Sequence, residues 1–178
     1  IAEYATDADY GAAVVSFMHA VGPPLREAGL LVAPNIAMNP WDAGMLDLSL
    51  QMLPDITHWE REYWMRWDDS ANFTGANWTS TMAVMCAAEA AGVGFLALTR
   101  GPGDEGTEEG QRYGRASWLL AWDGESDSAW GYIGDDLDPY GPDWEPDIGR
   151  PLEEMVAVGS RFQRRFTGGV AVVNPSTD

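Results

Sequence analysis

The chain has 178 residues, of which 46% are hydrophobic and 11% aromatic, enough for one domain with a substantial core and too apolar for global disorder. Its 28 acidic residues stand against 10 basic ones, all arginine, and the formal charge of -18 repels nucleic acid and anionic membrane surfaces, which makes both poor partners. No run approaches the ~20 apolar residues of a membrane span, so no membrane insertion is expected, and the single cysteine, Cys86, excludes an internal disulfide.

The chain opens at Ile1 with neither a Met nor a signal-peptide pattern, which reads as a processed, trimmed or internal start. Residues 8–28 carry Val14, Val15, Phe17, Met18, Val21 and Leu25 at helical spacing, with an interruption expected at Gly22-Pro23-Pro24 and a stop at Gly29. Leu30–Ile36 is a continuous apolar run that suits a strand buried on both faces. A helix is expected over 43–53 and a short strand over 55–60, where Ile56, Thr57 and Trp59 are strand formers. After a polar loop at 68–77, an Ala/Met-rich helix at 78–91 stops at Gly92, and Cys86 fits it as a small buried residue. Gly94–Arg100 reads as a buried strand, 108–122 as a helix and Ala129–Ile133 as a short strand. This alternation predicts βα repetition around a parallel sheet. From Asp135 the chain turns acidic and Pro-rich, and residues 161–174 predict a β-hairpin turning at Thr167-Gly168-Gly169.

The segment Asp55–Trp67 holds the most chemistry. A period of two puts Glu60 and Glu62 on one face and Arg61 on the other, and paired carboxylates beside flat aromatic rings are what a sugar-cleaving site needs. Two solvated acids past a strand end is the competing reading. In a parallel α/β barrel, functional residues gather at the C-terminal strand ends, which selects Asn35, Glu60 with Glu62, Thr99 with Arg100, and Trp130 or Tyr132. Asn35 could hold a sugar hydroxyl, orient a carboxylate or merely cap the next helix. Arg100 could bind an acidic sugar or form a plain salt bridge. Trp59, Trp64 and Trp67 alternate in facing, so that one packs in the core while another offers a stacking surface. His58 could tune Glu60 or serve as a hydrogen-bonded structural residue. No cofactor and no metal are expected: a zinc-like His/Cys set, a P-loop and a G-x-S-x-G elbow are all missing, and the acidic stretch 135–147 does not match a calcium loop. Asn72-Phe-Thr74 and Asn77-Trp-Thr79 would fit a secreted, glycosylated loop, and hence an extracellular setting.

Several stretches together resemble the glycosyl-hydrolase-like family 15: Val21–Asn35, Gln111–Gly124, the D-I-G-x-P turn at Asp147–Pro151, and Arg164–Ser176 with its F-x-G-G-x-x-x-V-N-P-S element. The resemblance runs nearly end to end, and the two closing motifs are its most specific part. It implies a (β/α)8 TIM barrel, with Glu60 or Glu62 on the sixth strand, Asn35 on the fifth and a partner Asp on a fourth strand that would precede this chain. Asp7 and Asp9 lie instead at a helix start, where they complement the helix dipole.

The expectation is therefore the C-terminal half of a TIM barrel over 1–134, with an acidic loop and a β-hairpin tail over 135–178 packed on it. Only four of the eight strands of such a barrel can be counted, so a missing N-terminal half or another chain is expected at the sheet edges. Function is expected to be glycoside hydrolysis of an oligo- or polysaccharide by Glu60 and Glu62, with Asn35, Trp59, Trp64, Arg100 and Trp130 holding the substrate. The alternatives are a non-catalytic carbohydrate-binding or structural module, as part of an extracellular or viral assembly, and an enzyme of another reaction type on the same scaffold.

Overall fold

The computed structural model describes residues 4–36, 38–67, 71–100, 107–133 and 147–176. Helix α1 (Asp7–Glu27) starts at the N-cap Thr6, whose hydroxyl accepts from the Asp9 amide at 3.1 Å, and it carries Asp7 and Asp9 in its first turn as the sequence suggests. It ends at Gly29, which takes φ 76°, while Gly29 N donates to Arg26 O and Leu30 N to Leu25 O. The expected interruption at Gly22-Pro23-Pro24 does not occur. The two prolines withhold bonds only from the carbonyls of His19 and Ala20, residues on an exposed flank of the helix. His19 to Asp55 and Arg26 to the Pro54 carbonyl then hold the helix on both sides of the proline pair.

α2 (Met45–Gln51) is followed by a 3-10 turn at Leu53–Asp55, so the strand expected from residue 55 begins only at β1 (His58–Arg61). α3 (Gly75–Ala90), β2 (Gly94–Arg100), α4 (Thr107–Ala121) and β3 (Ala129–Ile133) follow nearly as the sequence reads. β1, β2 and β3 form a parallel sheet in that order. In register, Trp59, Arg61, Phe95, Ala97, Thr99 and Tyr132 make its buried face. α2 and α3 cover that face through Ser49, Thr81 and Val84, and α4 comes close enough at Gly114 that an added Cβ would collide with the Thr99 hydroxyl. The other face carries His58, Glu60, Leu96 and Leu98, all half-buried.

The chain is α/β, but it is not half of a TIM barrel. Among the described residues its parallel sheet has three strands, because Leu30–Ile36, although extended, contributes a single bridge, Asn35 to Glu60, and a few bonds to the β1 side. Pro34 has no N–H to give a ladder. Nor is the C-terminus a hairpin tail: β4 (Val156–Val158), β5 (Arg161–Arg165) and β6 (Val170–Val173) form a second, antiparallel three-stranded sheet. Its last turn falls at the expected Thr167–Gly169, and Phe166, Ala171 and Val173 join the same core as the parallel sheet. Arg164 lies on the inner face and donates to the carbonyls of Leu119, Leu120 and Trp122, satisfying the C-terminal end of α4. The acidic residues 135–146 lie outside the described residues.

Two predictions follow from packing and burial. A Cβ added at buried Gly22 would sit 2.8 Å from the Asp55 Cβ and closer still to its carbonyl oxygen, so Gly22→Ala should cost about 1–3 kcal/mol in urea unfolding; an unchanged midpoint would refute that contact. Burial pushes the Glu89 carboxyl above its ordinary 4.5, although it accepts from Ser128, the Asp123 amide and Ser126. The folded state then holds this proton more tightly than the unfolded chain. The resulting stabilisation is complete below pH 4.5 and is lost as the pH rises through the raised folded value. Glu89→Gln, which cannot ionise, should therefore gain stability relative to the parent chain as the pH rises above 4.5 and through the raised folded value. A stability difference independent of pH would contradict it.

Candidate functional site

β1 delivers its carboxylates to the C-terminal end of the parallel sheet. Glu60 is the third residue of the strand, bridged to Asn35 and in register with Leu96. After Arg61 the strand ends, so Glu62 stands in a bend instead of continuing the alternation. Asn35 nevertheless brings the three together: its Nδ2 donates to Glu62 Oε2 at 2.8 Å, while its backbone pairs with Glu60. The proposed partnership of Asn35 with a carboxylate is thus realised with Glu62, and Asn35 does not cap a described helix.

The turn after β1 is held firmly. Trp64 N donates to Leu98 O at 3.0 Å, its indole donates to Gly114 O at 2.8 Å, and Met65 O accepts from Phe73 N at 2.8 Å. Met65 adopts φ 61°, the left-handed region that a side chain tolerates at a cost of ~1 kcal/mol. Backbone strain of this sort persists only where surrounding contacts over-determine it. This anchored turn places Tyr63 and Trp67 at a ring separation of 4.4 Å, and Trp41 and Phe73 extend the group, with centroids 4.8 Å apart. Trp41, Tyr63 and Trp67 remain half-buried, so this is the aromatic surface closest in sequence to the two carboxylates.

The other expected substrate contacts fall elsewhere. Trp59 is 1% exposed on the sheet face opposite Glu60, and Trp64 is fully buried against Phe95, so both are core residues and not stacking surfaces. Alternation along β1 sets the first, and the anchoring of the turn sets the second. Trp130 shares the face of Trp59, and its indole donates to Thr99 Oγ1 at 3.1 Å. Arg100 closes β2, and its side chain lies outside the described ones. His58 is half-buried with Nδ1 3.1 Å from Thr57 Oγ1, in keeping with its structural reading. Asn72 and Asn77, the heads of the two N-x-T triplets, sit in a bridge to Arg66 and in the first turn of α3, each half-buried. Among the described residues no group of His, Cys, Asp and Glu could hold a metal ion.

Arg61 is the residue whose importance sequence reasoning missed. It is 5% exposed, its Nη1 donates to Met38 O at 2.6 Å, and its guanidinium lies 5.9 Å from the Trp41 ring centroid. Among the described residues its Nε and Nη2 have no hydrogen-bond partner, and burial pushes its pKa down to about 10. The period-two pattern shows that Arg61 faces away from Glu60, but nothing in the pattern says that this direction is the core. Trp41 was equally hidden, since only the fold brings residues 39–42 against the turn after β1.

No family model matches the chain, and no curated protein matches it. Its function is therefore read from the chemistry of this site.

A buried cation loses its hydration, and here the return is limited to the Met38 and Ile36 carbonyls and the Trp41 ring, so an apolar side chain of similar volume is expected to serve as well. Arg61→Met should leave stability unchanged or raise it by up to about 2 kcal/mol in urea unfolding. A loss of comparable size would show that the carbonyl bonds dominate.

Proposed function

We propose that the C-terminal end of the parallel sheet is a carbohydrate site and that the chain is a glycoside hydrolase acting on an oligo- or polysaccharide. The observation that carries this reading is the 2.8 Å hydrogen bond from Asn35 to Glu62, because it gives two neighbouring carboxylates different surroundings. The Asn35 amide holds the Glu62 carboxylate in place, and Glu62 takes the role of steadying or attacking the anomeric carbon. Glu60, on the half-buried sheet face beside Leu96, serves as the general acid that protonates the leaving oxygen. The half-buried ring of Tyr63, next in sequence to Glu62, and its neighbour Trp67 supply apolar faces of the kind on which a pyranose stacks. The resemblance to the glycosyl-hydrolase-like family 15, carried by the motifs at Asp147–Pro151 and Arg164–Ser176, supports the same substrate class.

The test is reducing-sugar release from a panel of α- and β-linked oligosaccharides, with calorimetric binding measured on the same ligands. Glu60→Gln should lower turnover by about 10²–10⁴-fold while retaining binding, as expected for loss of a general acid. Glu62→Gln should lower turnover at least as far, and Asn35→Ala more mildly. Binding without turnover by the parent chain would replace the enzyme with a carbohydrate-binding module. Neither binding nor turnover across the panel would sink the reading.

A further inference from the structure

The exposed large apolar residues fall into only two groups among the described residues. Tyr4, Tyr10, Phe17, Leu25, Leu30 and Leu31 lie just before, on and just after α1, with Phe17 61% and Leu31 77% exposed. Leu152, Val156, Val158, Val170 and Val172 lie on or beside the antiparallel sheet. Isolated exposed apolar side chains need no explanation, whereas contiguous sets mark contact surfaces.

At about 100° per residue, α1 is apolar from Phe17 and Tyr10 through Val21 and Val14 round to Met18 and Val15, an arc of roughly 160°. Only the part bearing Gly11, Val15, Met18 and Gly22 is buried, against α2 and the turn at Leu53–Asp55. Asp7 lies at the Leu25 edge of the uncovered part, and Asp9 and Glu27 lie beyond its Phe17 edge; all three are exposed. On the antiparallel sheet, the pairings Val156 to Gln163 to Val172, Val158 to Arg161, and Arg165 to Val170 put the four valines and Arg161 and Arg165 on one outer face. Residues 156–174 contain three arginines and no acid, in a chain whose formal charge is -18. Glu153 engages Arg165, which leaves Arg161 as the cation of this face without an acidic partner among the described residues.

We propose that these two faces are the halves of one contact, and that copies of this chain associate head to tail, the aromatic and acidic flank of α1 against the valine and arginine face of the next copy's C-terminal sheet. Like on like is disfavoured on both counts. Pairing two helix flanks sets acid against acid, and pairing two sheet faces sets Arg161 against itself, while the crossed pairing joins opposite charges around an apolar centre. In so acidic a chain the strands of this sheet carry no acid and Glu153 beside them is matched by Arg165, so it is also the face that another copy can approach with least repulsion. A contact of this type is heterologous and grows into rings or open chains.

The proposal is independent of the glycosidase reading and is tested by sedimentation at about 0.15 M salt. The parent chain should show a mass that rises with concentration to twofold the monomer and beyond. Phe17→Arg and Val158→Arg should each remain monomeric at the same concentrations, with unchanged circular dichroism, since both positions are exposed. An equimolar mixture of the two should give a dimer and stop there, because each variant keeps the face the other has lost. A parent chain that is monomeric throughout, variants that still associate, or a mixture that stays monomeric would each overturn the proposal.

Discussion

The structure depends on the backbone of β1, which has to be satisfied on both sides at once. A buried strand carries a donor and an acceptor at every residue, and in a parallel sheet those groups point alternately to the two neighbours. On one side, Thr57 and His58 N reach Val32 O, Glu60 N reaches Pro34 O, and Ile36 N returns to Glu60 O. On the other, β1 runs in register with β2 from His58 against Gly94 to Arg61 against Ala97. Four residues thus fix the position of the extended segment before them and of the strand after them. They also decide which side chains enter the core, because Trp59 and Arg61 cannot be buried without turning Glu60 to the opposite face.

The site inherits its character from that division. Asn35 and Glu60 meet because their backbones pair, and Glu62 joins them because the strand ends one residue earlier and the bend returns its carboxylate to the Asn35 amide. The turn that follows is held by two bonds from Trp64 and one to Met65, so the aromatic group around Trp67 is set by backbone contacts and not by its own rings. Beneath it, the Arg61 guanidinium adds a positive charge on the covered side of the sheet. Rigid placement of this kind is what a site built from a strand end and its loop requires.

Much of this was legible in the residues. Apolar runs bounded by glycine located β2 and β3, and Gly29 and Gly92 do end helices, each at positive φ. The opposed facing of Glu60 and Arg61 followed from the strand period alone. What stayed hidden depends on partners distant in sequence. His19 meets Asp55 and Glu89 meets Ser126 and Ser128 only after the chain has folded, so neither pair has a local signature. The continuity of α1 through Pro23 and Pro24 was missed because the local rule counts lost hydrogen bonds but cannot see that they lie on the wet side. The barrel was overread for a related reason: alternation of strands and helices specifies a parallel layer, but the number of strands and the partner of the C-terminal residues are tertiary facts. Val156–Val158, too short and too exposed to show a pattern, adds the strand that makes the tail a sheet.

One bond near the end of the chain bears on how the fold is assembled. The amide of Gly75, at the start of α3, donates to the carbonyl of Pro175 at 2.7 Å and joins positions 100 residues apart. The pairing of Val32 with Thr57, by contrast, spans 25 residues. Loop entropy grows only as the logarithm of length, so closing the longer span costs about 1.2 kcal/mol more than the shorter one, two doublings of chain. The difference is small in equilibrium and large in order of events, since near contacts close first and shorten the loops that remain. During synthesis the strands of the parallel sheet all emerge before Pro175, so the bond it makes to the first residue of α3 is among the last that can form.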